Sequence, residues 1–181
     1  MASRLDDSVA VLERTPGALD ALLRGLPEMW VKGNEGEETW NMIDVVGHLI
    51  DADRVNWMPR ARQILKSDEM EKFAPFDRGG HARATEGKDL AQLLDAFAAL
   101  RAKNVAELRG IEIAEKDYER RAEHPALGVV TLGQLLAAWA AHDLTHLHQI
   151  SRIMAYQYRE AVGPWSRFLG VMQCKGHSEK A

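Results

Sequence analysis

Apolar residues along the 181-residue chain recur three and four positions apart almost throughout, and no run of alternating β-branched residues is long enough to compete. That period is the signature of amphipathic helices, and it predicts four long ones. Leu5, Val9, Leu12, Leu19, Leu22, Leu23 and Leu26 mark the first, over Leu5 to Leu26, with Pro16 expected to kink it. Gly33, Asn34 and Gly36 then break the pattern. The second starts at Asn41, whose side chain can cap while Asp44 supplies the capping-box acid, and runs towards Leu65 with a bend at Pro59. Lys66 to Lys88, with Pro75, Gly79, Gly80 and Gly87, reads as an irregular loop, long for a simple connection and able to cover a site.

Leu90, Leu93, Leu94, Phe97, Leu100, Val105 and Leu108 mark the third helix, closed by Gly110. After a polar crossover containing His124-Pro125 and Gly128, Thr131 and Gln134 form a capping box that opens the fourth, expected to reach Tyr158. A short helix is expected after Pro164. Such helices predict an all-α fold, a four-helix bundle of up-down-up-down type with a long crossover connection, and residues 1–181 are read as a single domain.

Composition narrows the function classes. The net charge of −4, with acids and bases interspersed, offers no basic track, so nucleic acid is not an expected partner. The longest uninterrupted apolar stretch, Leu135 to Ala141, is far short of the ~20 residues of a membrane span. The polar start, Met1 to Asp7, has no signal-peptide pattern, and the expected setting is the cytoplasm with no membrane partner. A lone cysteine, Cys174, leaves histidine and carboxylate as the metal-ligating side chains.

Three histidines then stand out. His142 and His146 are spaced i,i+4, so their imidazoles lie only about 40° apart around the fourth helix. The residues before them are apolar nearly all round, which marks this helix as central. His48 on the second helix can meet the pair in the bundle interior, where three neutral nitrogens bind a divalent ion and leave a position open for a reactant. A satisfied, hydrogen-bonded histidine cluster is the alternative. Trp139 and Gln149 are read on the same stripe as His142, as a pocket wall with one polar handle.

The string His142-Asp143-Leu144-Thr145-His146-Leu147-His148-Gln149 and the earlier Trp40…Val46-Gly47-His48-Leu49-Ile50-Asp51-Ala52-Asp53 resemble the DinB-like (YfiT-like) superfamily of helical-bundle metalloenzymes. Leu100-Arg101, the His-Pro-x-x-Gly of His124 to Gly128 and Thr131-Leu132-Gly133-Gln134 follow in the family's order. The resemblance implies a bundle, often a homodimer, holding Zn²⁺, Ni²⁺ or Fe²⁺ through His48, His142 and His146. It also implies a small-molecule substrate and, in the better understood branches, a low-molecular-weight thiol such as bacillithiol, mycothiol or a glutathione-like cofactor. The expected reaction is therefore thiol-dependent S-transfer. Metal-dependent hydrolysis and a non-catalytic metal-binding stress-response bundle are the alternatives.

Other residues have weaker claims. Asp51, one turn after His48, could orient an imidazole or act as a base, although an exposed helix carboxylate is the plainer reading. Asp143 is read as a surface acid or one that supports a ligating residue, and His81, His124, His148 and His177 as facing solvent or a neighbouring helix. Phe76 and Asp77 echo a Phe-Asp feature of part of the family, on a loop that could act as a lid. Of Arg54, Arg60 and Arg62, any of which could clamp a carboxylate, only Arg62 returns near the stripe of His48 on a straight helix.

Overall fold

The structure, a computed structural model, describes residues 5–67, 69–77 and 79–174. The first predicted helix is two, α1 (Leu5–Leu12) and α2 (Thr15–Leu23), with Pro16 in the first turn of α2, where its missing N–H costs no hydrogen bond. A short α3 (Glu28–Val31) follows in the connection. The Asn41 capping box forms as expected: Asn41 accepts from the Ile43 and Asp44 amides while Asp44 accepts from the Asn41 amide, opening α4 (Met42–Ala52). The helix continues through a π turn, Asp53–Trp57, into α5 (Met58–Lys66). Pro59 would clash with the Val55 carbonyl four residues back, and the widened turn accommodates the ring where a simple bend was expected.

The segment read as an irregular loop is more ordered than that. It contains β1 (Glu71–Lys72) and α6 (Gly80–Thr85). Gly47 of α4 lets α6 dock directly, because a Cβ there would stand 2.3 Å from the Thr85 methyl. The third long helix, α7 (Leu90–Gly110), opens on a second capping box, Asp89 with Gln92. The expected polar crossover after it folds as a 3₁₀ turn, Glu115–Glu119, and a hairpin of β2 (Arg121–His124) and β3 (Gly128–Thr131). The His-Pro-x-x-Gly string is the turn of that hairpin, with His124 Nδ1 accepting from the Ala126 and Leu127 amides at 3.2 Å each. Strand β1 adds in parallel to β2. Periodicity missed all three strands because two to four residues are too few to show alternation and their pairing is non-local.

Thr131 and Gln134 open the fourth long helix, α8 (Leu132–Tyr156), and after Pro164 come a 3₁₀ turn, Gly163–Phe168, and α9 (Gly170–Gln173). The four-helix bundle is present. Its senses follow from the contacts. Glu13 and Asp20 of the first helical arm stand opposite Arg109 and Asp95 through the Glu13–Arg109 and Arg24–Asp95 pairs, so that arm is antiparallel to α7. Asp53 and Arg62 pair with Arg101 and Glu107, so the α4–α5 helix runs parallel to α7. His48 meets His146 and Trp57 meets Trp139, so α8 is antiparallel to the α4–α5 helix; the order is up-down-down-up where up-down-up-down was expected, because the described residues between α5 and α7 return along the bundle as the long crossover.

Two apolar clusters fill the interior. One gathers Leu12, Met58, Leu108, Leu136 and Trp139; the other gathers Leu19, Val46, Phe97, Ile150 and Ile153. On every long helix buried polar residues mark the change from one to the other: Thr15 on the first arm, Asp51 and Asp53 on the second, Arg101 and Asn104 on α7, Asp143 and His146 on α8. This polar waist at mid-height is where the candidate chemistry sits. No described helix is long and apolar enough to cross a membrane.

Candidate metal centre

His48 comes to the waist from α4, and His142 and His146 from α8, where i,i+4 spacing stacks them one turn apart. Their Nε2 atoms face one another. His48 Nε2 lies 3.0 Å from His142 Nε2, which lies 3.1 Å from His146 Nε2, and the three residues offer nitrogens all within 4.8 Å of each other. In each close contact at most one nitrogen can carry a proton, so the three rings cannot all donate to one another. A shared cation satisfies them. Nitrogens about 2.0–2.1 Å from a tetrahedral ion are about 3.3 Å apart, close to the separations seen, so the donor set fits a divalent metal.

The surroundings prepare the imidazoles for that role. Gln149, one turn beyond His146, accepts from His146 Nδ1 at 2.7 Å through Oε1, which fixes the tautomer with Nε2 bare. Burial, then the neighbouring His146 and His48, then Arg101, push the His142 pKa down to about 2, so that ring is neutral across the physiological range. Trp40 and Phe76 pack on His48 with ring centroids 5.0 and 5.8 Å away, and Trp57 meets His142 edge-on at 5.1 Å. His142 Nδ1 is buried without a hydrogen-bond partner.

The centre forms one wall of a cavity of about 810 Å³, bounded by α4, the π turn, α5, residues 73–76, the β2–β3 hairpin and α8. Its lining is mostly apolar and, among the described residues, includes no aspartate or glutamate. Gln149 belongs to this lining, as expected. Trp139 does not. Relative to His142, the cavity-facing residues Gln134, Leu135, Ala138, Thr145, His146 and Gln149 fall within about 80° on one side and 40° on the other, whereas Trp139 and Asp143 lie about 60° and 100° round.

That rotation points both residues into a second cluster. The Trp139 indole N–H donates to Asp53 Oδ1 at 3.0 Å and the ring is fully buried. Arg101 binds Asp53 through Nε at 2.7 Å and Nη2 at 3.0 Å, binds Asp143 through both Nη atoms, and donates to the Leu12 carbonyl at 2.9 Å. Asp143, read as a surface acid or one that supports a ligating residue, is completely buried because its guanidinium partner is. Burial opposes the Arg101 charge, but hydrogen bonds to Asp143 and Asp53 outweigh it and hold its pKa above the ordinary value. Burial pushes the Asp53 carboxyl upward despite the pairing.

Neither Asp51 of α4 nor Asp77 of the loop joins the centre. Asp51 is only 5 % exposed, where an exposed carboxylate was the plainer reading, because α6 covers it; its carboxylate packs on Gly80, where a Cβ would stand 2.1 Å away. Burial raises its pKa. Asp77 is exposed, pairs with Arg83 at 2.7 Å and accepts from the Gly79 amide, and its pKa is lowered first by Arg83. Phe76 beside it does reach the cavity. His124 also lines the cavity, and His81 packs on Trp40 at 4.8 Å, so these two are part of the surroundings. His148 is exposed as expected, and His177 lies outside the described residues.

Sequence reasoning missed Arg60, Trp57 and the hairpin tip as cavity residues; all depend on the π turn or on the sheet. The sequence signature of the DinB superfamily matches residues 11–150. No curated protein sequence matches the chain. Among solved structures, YfiT from Bacillus subtilis, described as a probable metal-dependent hydrolase with an unusual four-helix bundle topology, superposes with a TM-score of 0.70 at 21% identity, covering 84% of this chain and 87% of that one.

Proposed function

Because this chain belongs to the DinB superfamily, we propose that His48, His142 and His146 hold a divalent ion, Zn²⁺, Ni²⁺ or Fe²⁺, and that the protein is a metal-dependent enzyme transferring the sulfur of a low-molecular-weight thiol to a small electrophile in the cavity. When bound, the ion supplies Lewis acidity that favours the thiolate of a coordinating thiol.

The observation that carries the choice of nucleophile is the lack of any carboxylate in the described cavity lining. Metal coordination lowers the pKa of water from ~15.7 to around 7, and many metal hydrolases add a positioned glutamate to take its proton. A thiol near pKa ~8.5 needs no such base. Here His146 is held in its ligating tautomer by Gln149, Trp40 and Phe76 shield His48 from water, and the cavity is large enough to take a thiol and an electrophile side by side. Hydrolysis is the second reading, favoured by the description of the YfiT structure. A homodimer belongs to the same proposal and is read out by sedimentation.

The test is elemental analysis of untagged protein, together with a thiol panel against a chloronitrobenzene and a parallel ester panel. S-transfer forms the aryl thioether and releases chloride and a proton. The expected result is near one equivalent of metal, lost in His48→Ala, with thioether formation that a chelator abolishes. Metal near zero in the wild type and unchanged in His48→Ala would overturn the metal centre. Ester turnover without thioether formation would select hydrolysis, and a metal-dependent melt with neither activity would select a stabilising role.

A further inference from the structure

Arg60 is twelve residues after His48, which on an uninterrupted α-helix would place it about 120° away, off the cavity face. The π turn between them acts as one inserted residue and takes back about 100°, so Arg60 returns to within about 20° of the His48 stripe. Arg62 is carried the other way. It lies at the surface in a bidentate pair with Glu107. The π turn therefore selects which arginine enters the cavity, and that arginine is only 8 % exposed.

Arg60 has no counter-ion among the described residues. Its guanidinium donates to the Ala74 carbonyl at 3.0 Å and lies 4.7 Å from the centre of the Phe73 ring, and among the described residues no carboxylate stands within ion-pair distance. The titratable side chain that faces it, His124, has its pKa lowered by burial and then by Arg60 itself, so it stays neutral. One neutral carbonyl and a ring face use only part of a five-donor cation. A buried, uncompensated charge costs several kcal/mol unless something pairs with it. Every other buried arginine described, Arg101 and Arg152, has carboxylate partners.

We propose that Arg60 is the anion-recognition residue of this cavity and that the substrate is an amphipathic carboxylate, its carboxylate at Arg60, its apolar body along Phe76, Leu127 and Leu135, and its reacting end at the three histidines. This deepens the reading of the cavity as an active site and rests on it for the identity of the reacting end alone. The two ends are about 18 Å apart along the helix axis at the Cα level, less once the arginine side chain leans towards the helix N-terminus. A bidentate guanidinium then fixes which end of the ligand meets the centre.

The test compares 6-phenylhexanoate with its primary amide on the chelator-treated full-length protein, followed by the fluorescence of Trp40 and Trp57. Removing metal keeps the carboxylate from binding at the histidines and makes the result independent of the metal-centre proposal, which elemental analysis judges separately. A charge-assisted bidentate contact predicts that the acid binds about tenfold or more tighter than the amide. Arg60→Gln should bring that ratio close to one, Arg60→Lys should restore part of it, and Arg62→Gln should leave it unchanged. Equal binding of acid and amide to the wild type would overturn the proposal without any variant. So would a preference that survives in a folded Arg60→Gln, folding being checked by its urea midpoint.

Discussion

The α4–α5 helix and α8 contribute to two buried polar clusters, one of them completed by Arg101 of α7, and the two differ in what has been left undone. His142 and Asp143 are adjacent in sequence, yet one faces His48 and the cavity while the other faces Arg101 and the core. In the Asp53–Arg101–Asp143 cluster every charge has partners, with the Trp139 indole donating to the Asp53 carboxylate at 3.0 Å and the Asn104 amide to the Asp53 main-chain carbonyl at 3.0 Å. In the histidine cluster three ring nitrogens converge within 4.8 Å of one another and His142 Nδ1 has no partner. A saturated network ties helices together, whereas ring nitrogens converging on the wall of a cavity mark a place for something else.

The sharpest way to break this contrast is to unpair the saturated cluster. Arg101→Met leaves two buried carboxylates without a cation and should cost about 3–5 kcal/mol in urea unfolding with chelator present. Under the same conditions His48→Ala should change stability by no more than about 1 kcal/mol, since its partners are neutral. Equal losses would mean that both clusters serve the fold.

Metal separates them next. Metal at a thousand times its Kd should add about 4 kcal/mol to the wild-type stability and nothing to His142→Ala, read as the shift in midpoint on chelation. A wild-type melt indifferent to both metal and chelator would remove the distinction.

Acid sharpens it further. The His142 pKa is lowered in the fold relative to ~6.5 in the unfolded chain, so the unfolded state binds the extra proton first as pH falls. The stability this ring contributes is complete above about pH 6.5 and declines below it. Between pH 7.5 and 5 the metal-stripped protein should lose roughly 2 kcal/mol, and His142→Gln should flatten that slope. The smallest expected effect is on the tautomer: Gln149→Leu frees His146 Nδ1 and should weaken metal binding about 10- to 100-fold with little change in chelated stability.

Much of the architecture is legible locally. The capping boxes at Asn41 and Thr131 and the 3.6-residue stripes place the long helices, since each depends on residues within a turn of one another. The i,i+4 histidines could be read as neighbours for the same reason. Asp51 and Asp143 were harder, because their burial is decided by α6 and by Arg101, elements far away in sequence.

What the amino-acid order determined by itself is therefore which side chains share a helical face: His142 with His146 and Gln149, and Leu90 with Leu93, Leu94 and Phe97. Tertiary structure alone decided which face met which. Packing brought His48 to the pair across ninety-four residues, turned Trp139 and Asp143 inward to Arg101, returned the described residues between α5 and α7 along the bundle, and rotated Arg60 into the cavity through the π turn at Asp53–Trp57. The physical reason is that helical period is set by bonds four residues apart, while the identity of a buried partner depends on which surfaces fit once the whole chain has closed on itself.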